Sequence, residues 1–182
     1  MIRVALVVAL VTLAVVLGAR IVDVNQPEAQ QALSTPNDSD YYLLDAVVRQ
    51  MDENGEPEYR MTAAETLHYP DESARLTDIH VNYLGESDDV WDLQATRGRI
   101  PAGKRDILLH DGVTLMRNQD GKQTMRVLTE RAWVRPDKDQ VDTDVAVSAS
   151  APGQSASAVG MTLLLKQNRV ILDKNVQVTY KP

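Results

Sequence analysis

The chain has 182 residues, a formal net charge of −7, no Cys and no Phe. Without Cys it can build neither a disulfide framework nor a Cys-based zinc or redox site, and scattered Lys and Arg on an acidic chain argue against nucleic acid, whose phosphates call for a basic stripe. Once an N-terminal tail of roughly forty residues is set aside, one domain with a single core remains, and an interior of Val, Leu, Ile and Met favours strands.

Residues 1–24 form the first predicted element. Val4 to Ala19 carries no charge and only one hydroxyl, Thr12, before Arg20, Ile21, Val22 and Asp23. As a helix from Val4 to Val22, with Arg20 snorkelling, this stretch reaches about 28 Å, close to the ~30 Å hydrocarbon thickness of a bilayer. It reads as one transmembrane anchor with a very short tail on one side and the domain on the other. The competing reading is a signal peptide cut at Leu17-Gly18-Ala19, where the residues are small. Residues 25–40, which include PEAQQALSTPNDSD, are polar and hold too few large apolar residues to pack, so a linker is predicted.

The domain is predicted over 41–182. Tyr41 to Met51 (YYLLDAVVRQM) fits a strand better than an amphipathic helix, because DENGEP follows as a turn cluster and Tyr59-Arg60-Met61 resumes an extended pattern, giving a hairpin. From Met61 onward, β-rich runs alternate with turn signals: YPDES, GESDD, PAGKRD, NQDGK, RPDKD and KQNR. Pro101 and Pro136 fall in these turns, where a missing N–H disrupts no ladder. Ser148 to Ala158 (SASAPGQSASA) is low in complexity and is predicted to be a flexible loop or a bulged connection.

Beneath this runs an internal repeat. Val81-Asn82-Tyr83, Val113-Thr114-Leu115, Val145-Ala146-Val147 and Val176-Gln177-Val178 recur about every 32 residues, each behind a polar or Gly residue (His80, Gly112, Asp144, Asn175). Upstream of them stand ETLHY, TRGRI, ERAWV and VGMTL. Each unit reads as two strands joined by a turn, too small to bury its apolar face without its neighbours. Period-2 alternation would place Thr77, Ile79, Val81 and Tyr83 on one face, with Val113, Leu115, Val145, Val147, Val170, Leu172, Val176 and Val178 as the matching set. Alternation alone does not separate a filled core from a groove that holds a ligand.

No catalytic pattern is present. His68, His80 and His110 lie far apart, with no HExxH or Hx3H spacing to bring two ligands to one face. The Asp clusters at 88–89, 137–139 and 142–144 lack the Gly and bidentate Glu of a calcium loop and read as solvated turn charges. No GxSxG, Walker or dinucleotide fingerprint occurs, so neither an enzyme nor a cofactor is expected.

These features together resemble the LptC family, single-span inner-membrane components of the bacterial lipopolysaccharide export machine. The resemblance runs from the apolar N-terminus and polar linker through YRMTAAETLHY, the W-x-L-x-A-x-x-G pattern from Trp91, LLHDGVTL, LTERAWV with VDTDV, Gly160-Met161 and the closing V-x-V-x-Y from Val176. Such repeats are shared with the periplasmic bridge protein LptA and the N-terminal domain of LptD. The resemblance implies an all-β fold, a twisted, open antiparallel β jelly roll with a hydrophobic groove between two sheets. It implies that acyl chains of lipopolysaccharide are held by Ala46, Val48, Thr77, Ile79, Val81, His110, Val113, Leu115, Val145, Val147, Val170, Leu172, Val176 and Val178. It further implies capture of LptA by the C-terminal edge at Val176, Gln177, Val178, Thr179 and Tyr180. The LptB-LptF-LptG transporter would be met through the transmembrane helix and the Tyr41–Met51 strand, with the domain in the periplasm. The alternative is a structural assembly module with a closed core and no lipid ligand.

Overall fold

A computed structural model describes residues 38–52, 54–84 and 89–180, without the side chain of Asp89. The anchor and nearly all of the linker expected from the sequence lie outside the described residues.

Nine strands follow one another: β1 (Tyr41–Met51), β2 (Pro57–His68), β3 (Ala74–Leu84), β4 (Asp89–Ile100), β5 (Ile107–Gln119), β6 (Lys122–Arg135), β7 (Gln140–Ala151), β8 (Gln154–Leu164) and β9 (Arg169–Tyr180). They pair antiparallel in chain order within one sheet, leaving β1 and β9 as its edges. The groove expected between two sheets therefore has to lie within a single sheet folded on itself.

What folds it is a crease across the middle of the strands. Asp45, Asp78, Asp111 and Asn175 take left-handed backbone conformations in β1, β3, β5 and β9, as do Gly112 and Gly160. Asp and Asn tolerate this region because their short polar side chains bond locally, and Gly because it has no Cβ. Beside them the register slips: Gln94/Arg97 in β4, His110/Val113 in β5, Thr129/Trp133 in β6, Thr143/Ala146 in β7 and Ser157/Val159 in β8. Such bulges bend a strand and raise its twist, so each long strand becomes two arms. The repeat in the sequence is this crease seen once per hairpin, since the four Val triplets lie at or just past it in β3, β5, β7 and β9, and the upstream runs lie at or beside it in the even strands.

A bulge also shifts which residues face in. In β3, Ala74 and Leu76 are buried before the crease, and Ile79, Val81 and Tyr83 after it. Thr77 consequently faces out, a correction to its expected place beside Ile79, because left-handed Asp78 inserts a half-step into the alternation. His110 also faces out, a correction for a different reason: Ile107, Leu109, Val113 and Leu115 keep a single alternation through β5, which leaves His110 half-buried on the outer side, 3.2 Å from Asp111. Val145 sits in the bulge itself, half-buried and outside the core that takes in Val147.

Ser148 to Ala158 is a hairpin rather than a loop. Val147↔Ala158 through Ala151↔Gln154 are paired, with Pro152-Gly153 as the two-residue turn and Gly153 at φ 73. Its Ser and Ala alternate with period 2, Ala149, Ala156 and Ala158 turning inward and the serines outward.

Candidate functional site

The residues of highest interest form one inner-face rung that crosses every strand: Val48↔Met61↔Val81↔Leu93↔Leu115↔Val127↔Ala149↔Ala156↔Val178. Paired residues in an antiparallel ladder point to the same side, so nine apolar side chains line one continuous track from edge to edge. Its burial is uneven. Leu93 and Leu115 are 1% and 0% exposed, whereas Val48 and Val178 at the two ends are 43% and 49% exposed.

Most of the sequence-predicted positions fall on this face. Ala46 pairs with buried Ala63, Val113 with Thr129, Thr129 with Val147, and Ile79 with Ala63 and Ala95. Val170 and Leu172 pair with the fully buried Leu163 and Met161 and pack against the core. Past the crease of β9, Val176, Val178 and Tyr180 are uncovered, while Gln177 and Thr179 alternate to the outer side. At the other edge Leu43, Leu44, Val47, Val48 and Met51 are likewise exposed. Val48 and Val178 bring the inner track to these two edges, and an unpaired strand edge offers free N–H and C=O groups.

The interior opens at one end into a hollow of about 620 Å³ with an apolar floor of Val48, Met51, Tyr59, Met61, Ile100 and Ile107 and a charged rim that includes Lys104, Arg105 and Lys166. Deeper in lies a cavity of only about 20 Å³, which shares Tyr59, Met61, Ile107, Pro136 and Asp139 with the hollow.

Polar contacts tie the two arms together here. Lys166 Nζ lies 2.9 Å from both Glu58 Oε1 and Asp139 Oδ2, the Tyr83 hydroxyl donates to Asp139 Oδ1 at 3.2 Å, and Trp91 Nε1 donates to Asn168 Oδ1 at 2.9 Å. Arg105 reaches Asp137 at 3.1 Å on the outside. Burial, then the Asp139 charge, holds the Tyr83 phenol well above its ordinary range, and hydrogen bonds to Asp139 and Glu58 raise the Lys166 ammonium. Tyr83 therefore stays a neutral donor and Lys166 a cation at neutral pH. At the start of β1, His68 Nδ1 lies 2.8 Å from Asp40 Oδ1 and the Tyr41 ring stacks on His68 at 4.4 Å.

Sequence reasoning missed Asp139 and Lys166, which sit in the turns RPDKD and KQNR and look there like solvated charges. Nothing in the spacing signals that the two turns meet. Met61 and Tyr59 were legible only as members of an extended run. Among the described residues no group of three or more His, Cys, Asp and Glu is placed to hold a metal. The arrangement offers an apolar face, two open edges and a charged mouth.

No curated protein matches the chain. Among solved structures it is similar to the crystal structure of LptH, the LptA-homologous periplasmic component of the lipopolysaccharide transport device of Pseudomonas aeruginosa, at 7% identity and a TM-score of 0.48, covering 78% of this chain and 94% of that one. The family model described as "Lipopolysaccharide-assembly, LptC-related" matches residues 5–181. The chain belongs to the LptC-related family and has a part in lipopolysaccharide transport.

Proposed function

We propose that this protein accepts lipopolysaccharide from the LptB-LptF-LptG transporter, carries its acyl chains on the inner face of the creased sheet and passes them to LptA at the β9 edge. The observation that carries the reading is the apolar rung running without a break from Val48 to Val178, closed in the middle and open at both ends. A sheet edge with unsatisfied backbone groups accepts a further strand, and a strand added beside β9 would continue the rung as well as the ladder. The same argument at β1, the strand that follows the N-terminal segment, supports the meeting with the transporter. Residues 1–24 would hold the protein in the inner membrane and 25–40 would carry the domain into the periplasm. The chain performs no bond chemistry in this role.

The filled centre favours a second reading, an assembly module whose core never takes lipid. Two measurements separate them. Removing Asn175 to Pro182 is expected to abolish LptA capture in a pull-down while co-purification with the transporter persists. Lipid extracted from the domain purified out of native membranes is expected to include lipopolysaccharide. Undiminished LptA capture by the truncated chain would assign the relay to the wrong edge, and a lipid-free domain under conditions of active export would favour the assembly module.

A further inference from the structure

The two spaces at the mouth pose a problem of size. A space of about 20 Å³ holds little more than one water, so the inner cavity has no room for an acyl chain, while the 620 Å³ hollow just outside has ample room. Asp139 lines both. It sits at φ 49 after the short 3-10 turn Pro136–Lys138, where its own N–H bonds to Pro136 O at 3.1 Å and its carbonyl accepts from Leu165 N at 2.9 Å. Its carboxylate takes the Tyr83 hydroxyl on one oxygen and Lys166 on the other, and Lys166 continues to Glu58. The side-chain links join the start of β2 and the end of β3 to the turns that follow β6 and β8, and the Leu165 N–H bond to Asp139 O joins those two turns to each other.

We propose that Glu58, Asp139 and Lys166 form a gate between the outer hollow and the interior, and that an acyl chain entering at this end passes only when the gate parts. The proposal rests on the lipid-carrying function argued above. The gate is built to open. Lys166 is more than half exposed, although its two carboxylate partners are largely covered, and partly exposed ion pairs hold weakly, so the Lys166 side chain can swing out while Leu165 keeps its bond to Asp139 and its place in the aliphatic core. Trp91, whose ring is buried and whose Nε1 bonds to Asn168, anchors the base of the same turn.

Met61 reports on the gate directly, since it lines both spaces and is buried, while Met161 is buried elsewhere in the core. The full chain is treated with hydrogen peroxide and oxidation at the two methionines is followed by peptide mass spectrometry, without lipid. Lys166→Gln is expected to speed oxidation of Met61 about fivefold, as for losing two partly exposed ion pairs from a local opening equilibrium, with Met161 unchanged. Asn168→Gly keeps a left-handed position easy to adopt, removes the bond to Trp91, and is expected to act in the same direction. The same variants are expected to take up a fluorescent lipopolysaccharide faster than the unaltered chain. Met61 unmoved in both variants, or Met61 and Met161 rising together, overturns the gate. So does faster oxidation of Met61 with unchanged lipid uptake, because the route would then lie elsewhere. Failure of the unaltered chain to take up lipid at all would fall on the proposed function, whose lipid extraction and edge-truncation tests are independent of the gate.

Discussion

The central strands and the two edge strands carry the same kind of residue on the same face, yet only the centre is closed. Leu115 in β5 and Val178 in β9 belong to one rung. Leu115 is covered because the arms fold across the crease onto it, and Val178 is open because β9 has a neighbour on one side only. Alternation thus tells which way a side chain points, and topology tells whether anything lies on top of it. The buried core lies in the first region, and the function proposed above puts binding in the second.

The largest effect expected from this division is at the centre. Leu115→Ala removes fully buried methyl groups and leaves a cavity, costing about 3 kcal/mol, readable as a lowered urea midpoint. Next comes the crease. Gly160 lies at φ 84, and a Cβ there would stand 2.5 Å from Asp173 Oδ2, so Gly160→Ala is expected to cost about 1–2 kcal/mol from the left-handed backbone alone. It should also loosen β9, seen as faster amide exchange from Arg169 to Tyr180. At the edge the sign of the comparison reverses: Val178→Ala is expected to change stability by less than about 1 kcal/mol while weakening lipid association. If Val178→Ala destabilised as much as Leu115→Ala, the edge would be part of the core and the division would fail.

The smallest effect concerns the start of β1. The hydrogen bond from His68 holds the Asp40 carboxyl below its ordinary value. A depressed carboxylate stabilises the fold above its ordinary pKa, and that contribution disappears as pH falls through the depressed value. Acidification below about pH 4 is therefore expected to release the Tyr41 ring from His68, followed by the ring-current shift of Tyr41, with Asp40→Asn showing the released state already at neutral pH. A Tyr41 signal that ignores both changes would mean that the stacking holds by itself.

Much of the fold could be read in the residues because strand physics is local. Period-2 alternation and turn chemistry place β1 and β2 as a hairpin, and the 32-residue recurrence marks the crease in β3, β5, β7 and β9. What local reasoning does not carry is a half-step. Asp78 is an ordinary strand-interrupting polar residue in the sequence, and only its left-handed backbone shows that the face changes there, which is why unbroken alternation points Thr77 inward; His110 is placed inward by the family resemblance alone, since alternation with Leu109 and Val113 already turns it out. The Ser-Ala stretch was misread for a different reason: its composition looked flexible, although its alternation and Pro-Gly turn are those of a hairpin. The mouth was the least legible part, because Glu58, Asp139 and Lys166 come together only when distant turns meet over the folded sheet.

The central claim is that lipid travels along the inner face and is met where that face is open. A photocrosslinking residue placed at 178, at 48 or at 177, in cells exporting lipopolysaccharide, tests it with neighbours on opposite sides of one strand. Adducts with lipopolysaccharide are expected at Val178 and Val48, which face in, and not at Gln177, which faces out. Equal labelling at 177 and 178, or labelling at 177 alone, would contradict the assignment.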